Sequence, residues 1–454
     1  MGLKYLIETF GCQMNVHDSE RMAGLLEQAG YDPAADAEEA DVIIVNTCSV
    51  REHAEDKLYS RLGELGRLRH DGGRRRLLVV AGCVAQQEGA RLLKRAGGAD
   101  VVLGTHAVKR LPVLLDAAFR DATSQVDINP YEDVSFSLGV VRRHDPVKAY
   151  VTVVEGCNDH CAFCVVPYTR GHERMRAFDE IIAEVREAAE SGRREVHLLG
   201  QIVNHYRAPD RPGVDFAGLL ESVQEVEGIE RIRFSSPHPR HVSPRLIGAV
   251  RDLPKVCKHL HLPVQSGSTR ILGLMRRRHT REEYLELVDR IRDAVPEVML
   301  STDVIVGFPG ETVEDFEDTV SLTRAVRFQS MFSFKYSERP GTLAARRMED
   351  TVPEPEKARR LSVLQSIQRE IQVSIHGEWV GRQVEVLVDS VSRRRDHEMS
   401  GRTTGNMVVN FPGEPGWLGQ MREVVVERPG ANSVWGRPAG SVRRLSLDRT
   451  GAEA

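Results

Sequence analysis

The first 120 residues alternate wholly apolar runs with amphipathic stretches. Lys4 to Phe10 reads as a strand and Ser19 to Gln28 as a helix. Asp41 to Asn46 (DVIIVN) and Arg76 to Ala81 (RLLVVA) are continuous apolar strands. Helices follow them over about Ala54 to Arg69 and Ala85 to Ala96, and Val101 to Gly104 with a helix near Leu111 to Phe119 completes the unit. Strands with no polar face, set between helices, predict a parallel sheet covered on both sides. Residues 121–147 show no period and carry several charges, which predicts a linker.

Residues 148–376 repeat the strand–helix theme about six times. The strands are Tyr150 to Val154, Glu195 to Leu199, Arg231 to Ser235, His259 to Leu262, Met299 to Ile305 and Met331 to Tyr336. The clearest helix is Asp179 to Ser191, with Asp179 as N-cap, Ile181, Ile182, Val185 and Ala189 as its apolar face, and Gly192 at its end. Six such units with right-handed crossovers predict a partial or full barrel. Pro353 and Pro355 open a long helix carrying Leu361, Leu364, Ile367, Ile371 and Ile375 on one face. From about 377 to 445 the pattern turns to short strands (VEVLVDSV, NMVVNF, MREVVVE) between Gly and Pro, which predicts a small all-β barrel or sandwich. The fold class is thus α/β with an all-β tail.

Composition narrows the class. The chain has 454 residues, 62 Lys+Arg and 66 Asp+Glu, so its overall charge does not announce a nucleic-acid binder. The tail is mildly basic, with ten Arg against eight acids over residues 376–444, and Arg393-Arg394-Arg395 is a candidate phosphate contact or a solvated loop. No apolar run reaches the length of a membrane span, and no basic–apolar signal-peptide pattern opens the chain, so a cytoplasmic location is expected. Seven cysteines, an odd and sparse count, suit metal ligation or buried thiols better than disulfides.

Three of the seven stand as C-x3-C-x2-C directly after a strand, in YVTVVEGCNDHCAFC: Cys157, Cys161 and Cys164. Three thiolates in one tight loop converge on one metal site. A closed zinc site takes four ligands, and no fourth Cys or well-spaced His follows; His160 inside the loop reads as a spectator. A 4Fe–4S cube held by three thiolates leaves one iron open to an outside ligand. Cys12, Cys48 and Cys83 each sit at the C-terminal end of a strand of the first sheet, the edge where open α/β sheets bind ligands. They read as a second three-cysteine cluster site, with Asn15, Asn46 and Thr47 as donors to its sulfurs, against the alternative of three separate buried thiols. Cys257 has no such partners and reads as a core thiol. Polar residues gather at the ends of the barrel strands: Gly200-Gln201, Ser235-Ser236-Pro237-His238, Gln265-Ser266-Gly267-Ser268 and Asp303. Barrel active sites form on that face. The VIVGFPGE segment, Val304 to Glu311, adds Gly and Pro where a ligand can approach backbone closely.

Together ETFGCQMN, NTCSVREHAEDK, AGCVAQQ, EGCNDHCAFCVVPYTRG, LPVQSGS, STDVIVGFPGE, FSFKYSERPGT and GRTTGNMVVNFPG make the chain resemble the methylthiotransferase family of radical S-adenosylmethionine enzymes along essentially its whole length. The resemblance implies a methylthiotransferase domain at 1–120, a linker at 121–147, a radical S-adenosylmethionine (βα)6 partial TIM barrel at 148–376 and an OB-like TRAM barrel at 377–445 that holds RNA. It implies two 4Fe–4S clusters, one on Cys157, Cys161 and Cys164 that cleaves S-adenosylmethionine and an auxiliary one on Cys12, Cys48 and Cys83 that gives up sulfur. It further implies two equivalents of S-adenosylmethionine per turnover. Phe163, Gly200, Gln201, Ser236, Gln265, Ser266 and Asp303 would contact that cofactor. Asn15, Arg170, Asn204, Arg402 and Asn406 would contact the RNA. The implied reaction is methylthiolation of C2 of N6-isopentenyladenosine at position 37 of a tRNA anticodon stem-loop, which ETFGCQMN and NTCSVRE favour. Threonylcarbamoyladenosine in tRNA, or an aspartate of a ribosomal protein, is the alternative substrate. The implied partners include an electron donor such as flavodoxin or ferredoxin, and the implied state is a monomer with no membrane contact. Met175, Ile202, His205 and Met407 depart from the family's usual residues.

Overall fold

The computed structural model describes residues 2–49, 52–68, 75–94, 98–129, 141–392, 395 and 397–440. The chain divides into two units, residues 1–368 and 369–454.

The first unit opens with a six-stranded parallel sheet in the order β2-β1-β3-β4-β5-β6. Its strands are β1 (Lys4–Phe10), β2 (Asp32–Pro33), β3 (Val42–Thr47), β4 (Leu77–Gly82), β5 (Val101–Leu103) and β6 (Gln125–Asp127). Helices α1 (Gln13–Gln28), α2 (Glu52–Leu68), α3 (Cys83–Glu88) and α4 (Leu111–Asp121) cover it. The alternation within one strand explains the double cover. Val42 and Ile44 enter the core shared with α1 and α4, while Ile43 and Val45 enter the one shared with Leu58, Leu62 and Leu65 of α2. Each such buried aliphatic contributes about 1.5–3 kcal/mol. Two expectations change. The first helix starts at Gln13, directly after Cys12, not at Ser19. The segment read as linker begins with a strand, β6, too short and too polar to show a period.

The next six parallel strands are β7 (Lys148–Thr152), β10 (Glu195–Leu199), β11 (Arg231–Phe234), β12 (His259–His261), β13 (Met299–Val306) and β14 (Ser330–Lys335). The short antiparallel pair β8 (Val154–Glu155) and β9 (Arg174–Met175) lies between β7 and β10 in sequence. β7, β10 and β11 form one three-stranded sheet and β12, β13 and β14 another. The two join where Cys257 N–H donates to Ile232 O at 3.0 Å, beside an Ile232–Val256 bridge. Among the described residues β7 and β14 do not pair, so the barrel stays open. Helices α5 (Val166–Thr169), α6 (Phe178–Glu190), α7 (Phe216–Gln224), α8 (Pro244–Asp252), α9 (Thr269–Leu274), α10 (Arg281–Ala294), α11 (Val313–Val326) and α12 (Leu343–Arg347) intervene or follow. The N-cap of α6 is Ala177, and Asp179 falls in its first turn instead. Ala188, not Ala189, is the buried alanine of its inner face, and Glu184 is buried there too.

Helix α13 (Glu354–Gly377) runs from the first unit into the second. The second unit holds a closed five-stranded barrel in the order β15-β16-β17-β19-β18. Its strands are β15 (Gln383–Val391), β16 (Glu398–Arg402), β17 (Val408–Pro412), β18 (Met421–Arg428) and β19 (Val434–Pro438). Closure removes the sheet edges that a small β unit would otherwise expose. Val384, Val386, Val388, Met399, Val409, Phe411, Val424 and Val426 fill it. Met407, a departure from the family pattern, is part of that core. Of the basic run, Arg393 and Arg394 lie outside the described residues, and Arg395 pairs with Glu398 at 2.9 Å.

Candidate active site

Strand register brings Cys12, Cys48 and Cys83 together. Phe10 faces Thr47 across β1 and β3, and Thr47 faces Gly82 across β3 and β4. The three strands end at one level, and each cysteine follows within two residues. Gly82 has φ +89°, and a Cβ there would lie 2.3 Å from Asn46 Oδ1 and 2.8 Å from Thr47 O, so only glycine lets the strand ends close up. Cys48 is hydrogen-bonded to both other thiols. That bond pulls Cys12 down to about 6 and Cys83 to about 7, against burial and with help from the Arg170 charge, while Cys48 is pushed up. Cys12 Sγ donates to Asn15 Oδ1 at 3.3 Å, and Asn15 Nδ2 donates to Asn46 Oδ1 at 3.1 Å. The Asn46 amide donates to Asn15 O and Ser19 Oγ, not to sulfur. Thr47 Oγ1 and Ser49 Oγ are buried on either side of Cys48 in the chain, without a partner among the described residues.

The other trio occupies the loop between β8 and β9. Its backbone is clamped at both ends: Cys157 N–H donates to Gly171 O at 3.1 Å and Ala162 N–H to Met275 O at 2.9 Å. Burial pushes Cys157 up to about 11 and Cys164 to about 12. Arg277 Nη1 donates to Cys161 Sγ at 3.5 Å. His160 is exposed. All seven cysteines are free, and Cys257 is buried. Among the described residues no three Cys, His, Asp or Glu side chains gather as the ligands of a single ion do. A 4Fe–4S cube asks for a different arrangement, since each thiolate takes its own iron. An all-sulfur donor set, clamped loops, and buried donors left without partners fit such a group.

The two trios belong to one continuous structure. α3, which begins at Cys83, packs on α5, which follows Cys164. Thr105 Oγ1 donates to Thr169 O at 2.6 Å. Arg170 Nη2 donates to Asp18 Oδ2 at 2.7 Å. His17 of α1 meets Thr152 Oγ1 at 2.8 Å and Glu184 Oε1 at 3.3 Å, deep in the join between sheet and barrel.

The other candidate residues divide. Gln201 donates through Nε2 to Met14 Sδ, and its Oε1 is buried with no partner among the described residues. Ser236 and Gln265 hold left-handed backbone at φ +61° and +76°, strain of the kind kept at functional sites. Asp303 Oδ1 lies 3.4 Å from His261 Nε2. Phe163 packs against Ala162, Met275 and Phe308. Gly200 is met by Val203 and Val154 rather than open space. Ser266 is fully buried, its hydroxyl shared with Thr319 and accepting from Ser268 N–H. Gly307 of the VIVGFPGE segment approaches Lys357 of α13, and Glu311 accepts from Gly307 N–H and Arg360, so that loop braces α13. Asn204 exchanges two hydrogen bonds with the His238 backbone, and Arg170 is 3% exposed. Asn15 is fully buried beside Cys12. Arg402 Nη1 donates to Asn406 Oδ1 at 3.2 Å on the C-terminal barrel, and both stay partly accessible.

Family models match three stretches: the uncharacterized protein family UPF0004 over residues 4–104, the radical SAM superfamily over 151–323 and the TRAM domain over 378–438. A tRNA-2-methylthio-N(6)-dimethylallyladenosine synthase from Geobacter metallireducens is 47% identical, over 95% of this chain and 98% of its own. One from Bordetella bronchiseptica is 46% identical, over 99% and 94%. The chain belongs to the tRNA-2-methylthio-N(6)-dimethylallyladenosine synthase family. Among solved structures, the radical S-adenosylmethionine methyltransferase TsrM from Kitasatospora setae shares the fold at a TM-score of 0.55 and 14% identity, over 76% of this chain and 77% of that one. As a member of the radical SAM superfamily the synthase takes a 4Fe–4S cluster and S-adenosylmethionine. No described helix of the synthase is long and apolar enough to cross a membrane.

Sequence reasoning missed Arg277, Asp18, His17 and Glu184. Arg277 sits in a run of three arginines, which reads as a solvated turn. The only signal for the others is charge on helix faces that pack: His17 and Asp18 are 2% and 4% exposed on α1, Glu184 4% on α6.

Proposed function

We infer that this chain methylthiolates C2 of N6-dimethylallyladenosine at position 37 of tRNA, giving the 2-methylthio derivative. The near-full-length identity to synthases of that name carries the reading. The reading assigns a 4Fe–4S cluster to Cys157, Cys161 and Cys164 and a second to Cys12, Cys48 and Cys83, with two equivalents of S-adenosylmethionine consumed per turnover. When bound, these groups supply a hydrogen-abstracting radical, the inserted sulfur and its methyl group.

The chain's own residues do the rest. The clamps at Gly171 and Met275 hold the Cys157–Cys164 loop. Arg277 donates to Cys161 and orients it. Level strand ends hold the other trio. The buried His17–Glu184 contact keeps the sheet domain against the barrel, and the reading needs both trios to face one enclosed space from which water is excluded. A base must leave its stack to reach such a space, which suits a loop nucleotide. Arg402 and Asn406 of the C-terminal barrel contribute to holding the RNA. All six ligating cysteines come from one chain, so a monomer suffices. An external one-electron donor of the flavodoxin or ferredoxin type completes the system, in the cytoplasm with the tRNA.

The test is anaerobic reconstitution with iron and sulfide, then incubation with S-adenosylmethionine, dithionite and tRNA carrying dimethylallyladenosine, followed by nucleoside mass spectrometry. The 2-methylthio product is expected. Abundant 5′-deoxyadenosine without that product would move the substrate elsewhere.

A further inference from the structure

Arg170 stands six residues after Cys164, yet its side chain leaves the barrel and enters the sheet domain. Its backbone N–H donates to Val166 O at 2.7 Å, and the carbonyls on either side of it, of Thr169 and Gly171, accept from Thr105 Oγ1 and Cys157 N–H. The side chain is therefore aimed from a fixed base. One edge of the guanidinium is held by Asp18. The guanidinium charge acts on Cys12 and Cys83, and the guanidinium is hydrogen-bonded to Cys83. Nη1 is buried and has no hydrogen-bond partner among the described residues. A buried guanidinium N–H with no acceptor costs free energy, of order 1–3 kcal/mol, unless something accepts from it. Asp18 neutralises the charge but leaves this donor open. A sulfur-rich anion beside Cys83 and Cys12 would be its acceptor.

We propose that Arg170 is a positioning residue of the sulfur-donor site: it donates to the group held by Cys12, Cys48 and Cys83 and sets how readily that group takes an electron. This rests on the reading that the trio holds a 4Fe–4S cluster. A fixed cation stabilises the reduced, more negative state and so raises the potential. Because the same segment carries Cys157 and Cys164, Arg170 also ties the geometry of one trio to the electronics of the other.

The test is an anaerobic redox titration, read by electron paramagnetic resonance, of the full-length chain carrying Cys157, Cys161 and Cys164→Ala, so that only the one cluster is observed. Arg170→Gln should lower the reduced-to-oxidised ratio at fixed potential roughly tenfold, a shift of 59 mV for one electron. Arg170→Lys should restore most of it. Asp18→Asn, which keeps an acceptor for the guanidinium but removes a negative charge, should shift the potential the opposite way. A salt bridge with a purely structural role would not give opposite signs. Intact iron and sulfide with an unmoved potential in Arg170→Gln, or shifts of the same sign in both variants, would overturn the proposal alone. Absence of iron in the triple-alanine chain would overturn it together with the reading beneath it. Should Arg170→Gln fail to fold, Asp18→Asn still decides: a potential that is unmoved or lowered in that variant, with iron and sulfide intact, would overturn the proposal.

Discussion

Arg277 donates through Nη1 to Cys161 Sγ at 3.5 Å and through Nη2 to the Pro263 carbonyl at 2.9 Å. The residues on either side, Arg276 and Arg278, both have left-handed backbone, at φ +58° and +57°. That conformation costs a residue with a side chain roughly 1–2 kcal/mol. The turn bears this strain and delivers the middle arginine inward, against Cys161. Removal of such a supporting donor typically costs about 10–100-fold in metal affinity or activity. Arg277→Met should therefore slow 5′-deoxyadenosine formation under dithionite by about that factor, with Arg277→Lys in between. Rates for Arg277→Met equal to the parent, at equal iron content, would sink the assignment.

The two trios should separate cleanly by function. Cys161→Ala is expected to abolish S-adenosylmethionine cleavage and all product. Cys48→Ala is expected to keep 5′-deoxyadenosine formation while losing the 2-methylthio nucleoside, since Cys48 is the hydrogen-bonded centre of the sheet-edge trio. Iron content, 5′-deoxyadenosine and modified nucleoside, measured on the same preparations, check this. Equal loss of cleavage in both variants, each still folded, would contradict the division of roles.

The strands carrying the cysteines were legible because wholly apolar runs such as Val42–Val45 have one stable use, inside a covered sheet. The even placement of Cys48 and Cys83 at strand ends then implied a shared level, which the β3–β4 register bears out. Polar residues at barrel strand ends were legible as a group but not one by one. Ser266 and Asn204 look as ligand-ready as Gln201, yet their polar atoms are used by Thr319, Ser268 and the His238 backbone. Thr319 and the His238 backbone lie 53 and 34 positions from the residues they engage, where no periodicity reaches. The contact of Arg170 was hidden for the same reason, because Asp18 stands 152 positions before it.

On the C-terminal barrel Arg402 is held by Asn406 and by Asp389, 3.4 Å from its Nε, while its side chain stays 36% exposed. A half-exposed, oriented guanidinium is suited to phosphate. Arg402→Gln should weaken tRNA binding, flatten the slope of log affinity against log salt by roughly one, and raise KM with kcat unchanged. Filter binding across a salt series reads the slope. An unchanged slope would place the RNA on another face of the barrel.

Glu184 joins sheet and barrel. It accepts from His17, from Arg143 at 3.1 Å and from Arg176, and its side chain is 4% exposed. Burial alone would raise its pKa, but the His17 hydrogen bond and the charges of Arg176 and Arg143 outweigh it and hold the carboxyl well below its ordinary 4.5. A folded-state pKa below the unfolded one stabilises the fold fully above the unfolded value, and that stabilisation is lost as the pH falls below about 4.5. Glu184→Gln leaves Arg143 and Arg176 buried without this anion, and removing one partner of a buried pair costs about 3–5 kcal/mol. Anaerobic urea denaturation followed by circular dichroism should show that loss at pH 7, and the gap between parent and variant should narrow progressively below pH 4.5. A gap that holds constant down to pH 3, or one under about 1 kcal/mol at pH 7, would mean that Glu184 does not clasp the two layers as an ionised group.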